Sequence, residues 1–283
     1  MSSAPNPWLH APSHSSPVSL GSHSLFLRAS GPPRLPSQPV VIIEAGLGGT
    51  SSEWVAVVRL LSQSIRVFSY DRAGYGGSKP LSASSRPPTT KKRCEELTAL
   101  LQAAGVEPPW VLVGHSYGGV LVREFLLMHG KEKVVGMCIV DSAATRTKLP
   151  DSWPGLLGDE RYGVVVGLEA KRVLTDEEWD AVKRDGEGGD VAVAEEEKVM
   201  FECTREINEW VKEGGELLGD GRLSVVFCDE SVDFAKVLRR AEERGIGSEE
   251  AREELRVRLE DMSAIDEQGQ REHLILSSKS RFV

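Results

Sequence analysis

Four short apolar runs, each joined to the next through a stretch of helical periodicity, constrain this chain more than any other feature. PVVIIEAG (Pro39 to Gly46) is a continuous β-branched run. IRVFSYD, WVLVGH (Trp110 to His115) and VVGMCIVDSA follow at intervals. Runs without polar alternation are strands buried on both faces. Between them lie amphipathic stretches. In TSSEWVAVVRLL, Trp54, Val57, Val58 and Leu61 share a helical face, and Thr50 and Glu53 have capping-box spacing. In RCEELTALLQAAG, Cys94, Leu97 and Leu101 align and Gly105 ends the pattern. GGVLVREFLLMHG closes at Gly130. Strands alternating with helices predict an α/β fold, a mostly parallel sheet with helices on both faces. SLFLRAS reads as one earlier strand.

The grammar changes after Ala144. Residues 145–220 contain helical patterns and no strand, and read as a helical cap or lid inserted into a core of residues 20–144 and 221–283. Thr175 and Glu178 repeat the capping-box spacing. Met200, Cys203, Ile207 and Trp210 line one helical face, and Glu195-Glu196-Glu197 reads as a solvated face. RLSVVFCDES (Arg222 to Ser231) returns to the sheet. Residues 1–19, rich in Ser and Pro, read as a flexible lead-in. Their His10 and His14, with His23 just beyond, have no spacing that fixes a metal, so no metal site is expected.

At 283 residues and a formal net charge of -9, the chain is a poor candidate for binding nucleic acid or an anionic membrane. No apolar run approaches the roughly 20 residues of a membrane helix, and the N-terminus lacks a signal-peptide pattern. A cytoplasmic protein is the expectation. Cys94, Cys138, Cys203 and Cys228 are widely spaced, and free thiols, three of them in apolar patterns, fit a reducing compartment. Oligomeric state is not legible.

The third run leads straight into Gly114-His115-Ser116-Tyr117-Gly118, a G-x-S-x-G, and then into a helix. A strand turning sharply into a helix holds its serine in a strained conformation above the sheet. Side chains at the flanking glycines would strike neighbouring backbone. The free N–H groups of the helix N-terminus then favour a negative oxygen beside that serine.

These residues resemble the alpha/beta hydrolase family. VVIIEAGLGG (Val40 to Gly49) is similar to its third strand and oxyanion loop, with Ala45-Gly46-Leu47 where many members have His-Gly-x. FSYDRAGYGGS (Phe68 to Ser78) is similar to its fourth strand and Asp-Arg-x-Gly-x-Gly-x-Ser turn, and WVLVGHSYGG to its nucleophile elbow. The resemblance implies Ser116 as nucleophile, with backbone N–H groups of Leu47 and Tyr117 as the oxyanion hole. It assigns Asp71 and Arg72 to bracing loops and His115 to packing. A serine at the elbow, where dehalogenases and epoxide hydrolases of the family carry Asp, implies acyl transfer on an ester, thioester, lactone or amide. The substrate is then a small molecule, and no cofactor is needed. Val164, Val165, Val166 and Leu168 either line a cap pocket or form ordinary core.

The triad order Ser, acid, His leaves the acid open. Asp141 ends GMCIVD and Asp229 follows SVVFC; either can instead cap the next helix. Asp141 is preferred, because the stretch around Asp229 lacks the family's short Gly-x-x-Asp loop. The base should follow the last strand as Gly-His. SKSRFV reads as the opening of that strand, and His273 precedes it. The expectation is therefore a serine hydrolase truncated before its catalytic histidine, with last strand and helix largely absent. The alternative is a non-catalytic small-molecule-binding relative.

Overall fold

A computed structural model of the chain describes residues 5–78, 87–142 and 148–283. The expected boundary at 144/145 and residues 1–4 of the lead-in lie outside the described residues. Eight strands form one sheet: β1 (Ser13–Ser19), β2 (Ser24–Ser30), β3 (Val40–Glu44), β4 (Val67–Tyr70), β5 (Trp110–His115), β6 (Val134–Val140), β7 (Gly219–Val226) and β8 (Ser277–Phe282). Their order is β1-β2-β4-β3-β5-β6-β7-β8. β1 and β2 are antiparallel, as are β2 and β4; the remaining pairs are parallel. The helices are α1 (Pro7–His10), α2 (Val55–Leu61), α3 (Thr90–Ala103), α4 (Tyr117–His129), α5 (Tyr162–Val165), α6 (Asp176–Gly186), α7 (Asp190–Gly214), α8 (Ser231–Arg244), α9 (Glu249–Leu259) and α10 (Met262–Arg271).

The β-branched run of β3 explains the layering. Val40 and Ile42 join a core with Leu97 and Leu101 of α3, Leu121 and Phe125 of α4, and Ile207 and Val211 of α7. Val41 and Ile43 face the other way, with Val67, Val113 and the Trp54, Val58 and Leu61 side chains. Period-two alternation thus puts each β3 side chain into one of two apolar layers. Val57, expected on the same helical face, is 38% exposed.

The two capping-box spacings part ways. Thr175 and Glu178 form both bonds of the box at α6. Thr50 does not: its hydroxyl pairs with Ser52 at 2.7 Å, and Ser51–Trp54 form a 3-10 turn ahead of α2. A tighter turn changes where N3 falls, so the spacing alone does not make the box.

Three expectations are corrected. Within residues 1–19, Ser13–Ser19 form an edge strand paired along its length with β2. Just ahead of it, Arg66, 2% exposed, donates to the carbonyls of Pro7, Trp8 and Ala11, and also to that of Gly31 past the end of β2. The last strand is present: β8 runs parallel to β7, and Ser277 Oγ reaches Gly219 and Gly221 carbonyls at 3.2 and 2.5 Å. Finally, the chain divides into a unit holding residues 1–142, 174–226 and 274–283, and a second of 143–173 and 227–273. Residues 174–220 therefore belong with the sheet, because the buried stripe of α7 completes the sheet's core.

The second unit has its own core, with Leu156, Val166, Val237, Leu238 and Leu255 around Phe234. Trp153 stands edge-on to Phe234 at 5.2 Å. Glu160 takes two hydrogen bonds from Arg240, at 2.9 and 2.8 Å. Val165 and Val166 pack into this core, while Val164 and Leu168 are exposed. None of the four cysteines forms a disulfide; Cys94 and Cys203 are buried, Cys138 is half-buried and Cys228 is exposed.

Candidate active site

Ser116 sits between β5 and α4 with φ 51° and ψ -121°, a backbone conformation that L-residues avoid. Two close approaches impose the turn. A Cβ on Gly114 would lie 2.5 Å from the Gly118 carbonyl oxygen, and one on Gly118 would lie 2.3 Å from that of Glu44. Only glycine fits either position. The Ser116 N–H donates to the Val140 carbonyl at 3.0 Å. Its side chain makes no cap bond to α4; within the first turn the Gly119 N–H donates to the Ser116 carbonyl at 2.9 Å.

The loop after β3 lies against this turn. A Cβ on Gly46 would be 3.4 Å from the Ser116 Cβ and 3.1 Å from His115 Nδ1. The His115 ring stands edge-on to Trp54 at 6.2 Å, which suits a packing role. Arg72 holds the loop. Its Nη1 donates to Glu44 Oε1 and the Ala45 carbonyl, both at 2.8 Å, and its Nη2 to the Gly46 carbonyl at 2.7 Å. Asp71 braces the other side, accepting the Ser51 and Gly77 N–H groups at 2.7 and 2.9 Å.

Glu44 and Glu196 are both buried against Arg72. Burial pushes the Glu44 carboxyl up, with Arg72 and a 2.5 Å hydrogen bond from Tyr70 opposing. Burial also works against the Glu196 charge, but Arg72 and Arg93 outweigh it and hold this carboxyl below its ordinary value. Glu196 was expected on a solvated face; it is fully buried. The periodicity carried the signal: Glu196 is seven residues before Cys203 and eleven before Ile207, on the same stripe.

The two acid candidates differ in their surroundings. Asp141 directly follows β6, is 8% exposed and has φ 47°. Since His115 and Val140 are register partners, Ser116 and Asp141 leave adjacent parallel strands at the same level. The capping role expected as an alternative for Asp141 concerns residues outside the described ones. Asp229 is exposed, in the other unit, and accepts from Ser231 N–H and Oγ at 3.1 and 2.5 Å and from Ser263 Oγ at 2.9 Å. It is occupied as a turn-and-cap residue ahead of α8.

His14, His23 and His129 have partners of their own. His14 packs on Trp8, and His129 meets Thr98 Oγ1 at 2.8 Å and stacks near Trp110 and Phe125. His23 Nε2 is 3.5 Å from Glu96. His273 is 1% exposed in the second unit.

This geometry meets an independent line of comparison. Residues 39–165 match the family model described as alpha/beta hydrolase fold. An AB hydrolase superfamily protein of Gibberella zeae is 34% identical over 274 residues, covering 92% of this chain and 83% of that protein. The chain belongs to the alpha/beta hydrolase superfamily. Another relative is "Probable transporter efuK" of Hormonema carpetanum, 30% identical over 286 residues. That alignment covers 98% of this chain, which spans only 40% of that relative's length. The fold is also that of the enol-lactonase from Burkholderia xenovorans LB400, with a TM-score of 0.58 at 16% identity, over 95% of this chain and 90% of that one. Among the described residues of this alpha/beta hydrolase, no helix is long and apolar enough to cross a membrane.

Proposed function

We propose that this chain is a serine hydrolase of ester-like acyl substrates, working through an acyl-enzyme on Ser116. The observation that carries the reading is the strained Ser116 backbone beside the loop that contains Leu47. Ser116 Oγ attacks the acyl carbon, its proton passes to a base, and the carbonyl oxygen becomes an oxyanion. The Leu47 and Tyr117 N–H groups receive that oxyanion. Collapse expels the alcohol, and water then cleaves the acyl-serine. Two aligned donors are worth several kcal/mol in such a step. Asp141, rather than Asp229, is the triad acid in this reading, supported by its place beside Ser116 at the carboxyl ends of two adjacent central strands. The weak step is proton removal. The rings of His14, His23 and His129 are committed to other partners, and His273 is buried. Where Ser116 lacks a base within this chain, free imidazole in solution should quicken acylation.

The test is labelling by a fluorophosphonate, with hydrolysis of p-nitrophenyl acetate followed with and without imidazole. Labelling that disappears in Ser116→Ala, and turnover that rises with imidazole, is the expected result. Stabilisation by small acyl compounds without any labelling would replace the hydrolase with a binding protein.

A further inference from the structure

We propose that Glu196, remote from the reacting atoms, is a positioning residue that sets the direction of the Leu47 N–H through Arg72. This deepens the reading of Ser116 as nucleophile and of Leu47 as an oxyanion donor.

Arg72 uses all five of its N–H groups. One edge, Nε and Nη2, meets Glu196 Oε1 and Oε2 at 3.1 and 3.3 Å. The remaining donors meet Glu44 Oε1 and two successive carbonyls, Ala45 and Gly46. The second carbonyl matters most. The Gly46 C=O and the Leu47 N–H belong to one planar trans peptide, so they point in opposite directions. A guanidinium gripping the oxygen therefore aims the N–H the other way. If the grip is lost, rotation of that peptide presents a carbonyl oxygen where a donor is required.

The guanidinium in turn needs a fixed anchor. Glu44 gives the guanidinium a single contact, at Nη1, whereas Glu196 holds the opposite edge at two atoms. Glu196 comes from α7, far along the chain. Its carboxylate is fully buried and takes four donors: two from Arg72, Arg93 Nε at 2.7 Å and Tyr75 OH at 2.7 Å. Arg93 is itself held by Glu96 at 3.1 Å. Glu196 is thus fixed from two further sides before it fixes Arg72. A carboxylate held by paired charges in a dry interior keeps its geometry during the reaction, which is what an oxyanion donor demands.

The experiment compares wild type with Glu196→Gln, which keeps shape but removes the charge, and Glu196→Asp, which keeps the charge. Three readouts are taken: the fluorophosphonate labelling rate, the kcat and KM on p-nitrophenyl acetate, and a crystal structure showing the Gly46 carbonyl. In Glu196→Gln, labelling and kcat should fall roughly 10²-fold with KM within about twofold, the pattern of a lost transition-state donor. The Gly46 carbonyl should turn away from Arg72, and Glu196→Asp should recover part of the rate. A folded Glu196→Gln that labels at the wild-type rate, with that carbonyl still on Arg72, overturns the proposal. If Glu196→Gln does not fold, Tyr75→Phe removes a single bond to the carboxylate and should slow labelling about fivefold; an unchanged rate there counts against Glu196. Should wild type itself not label, the hydrolase reading fails, and the carbonyl direction in the crystal structures still decides the role of Glu196.

Discussion

Gly118→Ala is the sharpest probe of how the site is built. The new methyl would lie 2.3 Å from the Glu44 oxygen, 2.7 Å from that of Ala45 and 2.9 Å from the Glu44 carbonyl carbon. Carbon and oxygen approach comfortably only to about 3.3 Å, so about 1 Å must be found. Neither side yields easily. Glu44 is in register with Gly114 in the sheet, and the Ala45 carbonyl is gripped by Arg72. Gly118 lies in the first turn of α4, pinned to the core by Leu121 and Phe125. The cost should fall at the top of the overpacking range, about 3 kcal/mol, or roughly 5 °C of melting temperature for a chain of this size. Because the displaced atoms are those of the oxyanion loop, fluorophosphonate labelling of Ser116 should slow by about 10²-fold. Gly186→Ala is the control, since a Cβ there meets nothing within 4 Å and the residue closes α6. That variant should match or slightly exceed wild-type stability. A Gly118→Ala protein that melts within 2 °C or so of wild type and labels at the same rate would refute the close approach.

Two further outcomes follow from the same residues. Ser116→Gly should abolish labelling yet raise stability by about 1 kcal/mol, the backbone strain of ~1–3 kcal/mol relieved less the extra entropy of an unfolded glycine; equal or lower stability in urea melts would mean the serine is not strained. Glu53, exposed as a residue but with its carboxylate against Gly49, has its pKa pushed up by burial to about 7 from 4.5. The folded protein then keeps a proton that the unfolded chain loses, so this group lowers stability as pH rises from 4.5 to about 7 and adds no slope above. Glu53→Gln should therefore gain on wild type across that window in melts taken at stepped pH, and parallel curves would count against the shift.

The central sheet and the elbow were legible because their signals are local. The β3, β5 and β6 runs are apolar at every position that pairs deeply, and the glycines around Ser116 report steric contacts that any sequence with this turn must satisfy. β1 was hidden because SHSSPVS is an edge strand with no buried side chain. What holds it is backbone pairing and a cation far along the chain, neither of which leaves a hydrophobic period. Glu196 was missed for a related reason. A triplet of acids reads as solvated unless the helix phase is carried back from Cys203, and its partner Arg72 sits in a distant loop. The division of the chain escaped because helicity alone does not say which core a helix joins; α6 and α7 go with the sheet, α8 to α10 with the second unit. The acid was left between two aspartates because both follow strands. Geometry separates them: Asp229 is tied up in its own turn, and Asp141 leaves the sheet beside Ser116.

The grip of Arg66 on the first residues has a consequence for the order in which the chain can acquire structure. Trp8 and Pro7 are bonded to a side chain 58 and 59 positions later. During synthesis these residues leave the ribosome well before their partner, and before Tyr70 of β4, against which β2 must dock. The hairpin of β1 and β2 therefore has to wait, unprotected, for β4. Once Arg66 arrives, four carbonyls are tied down in one event, and the segment should pass from protease-sensitive to protected in a single step rather than by gradual zippering.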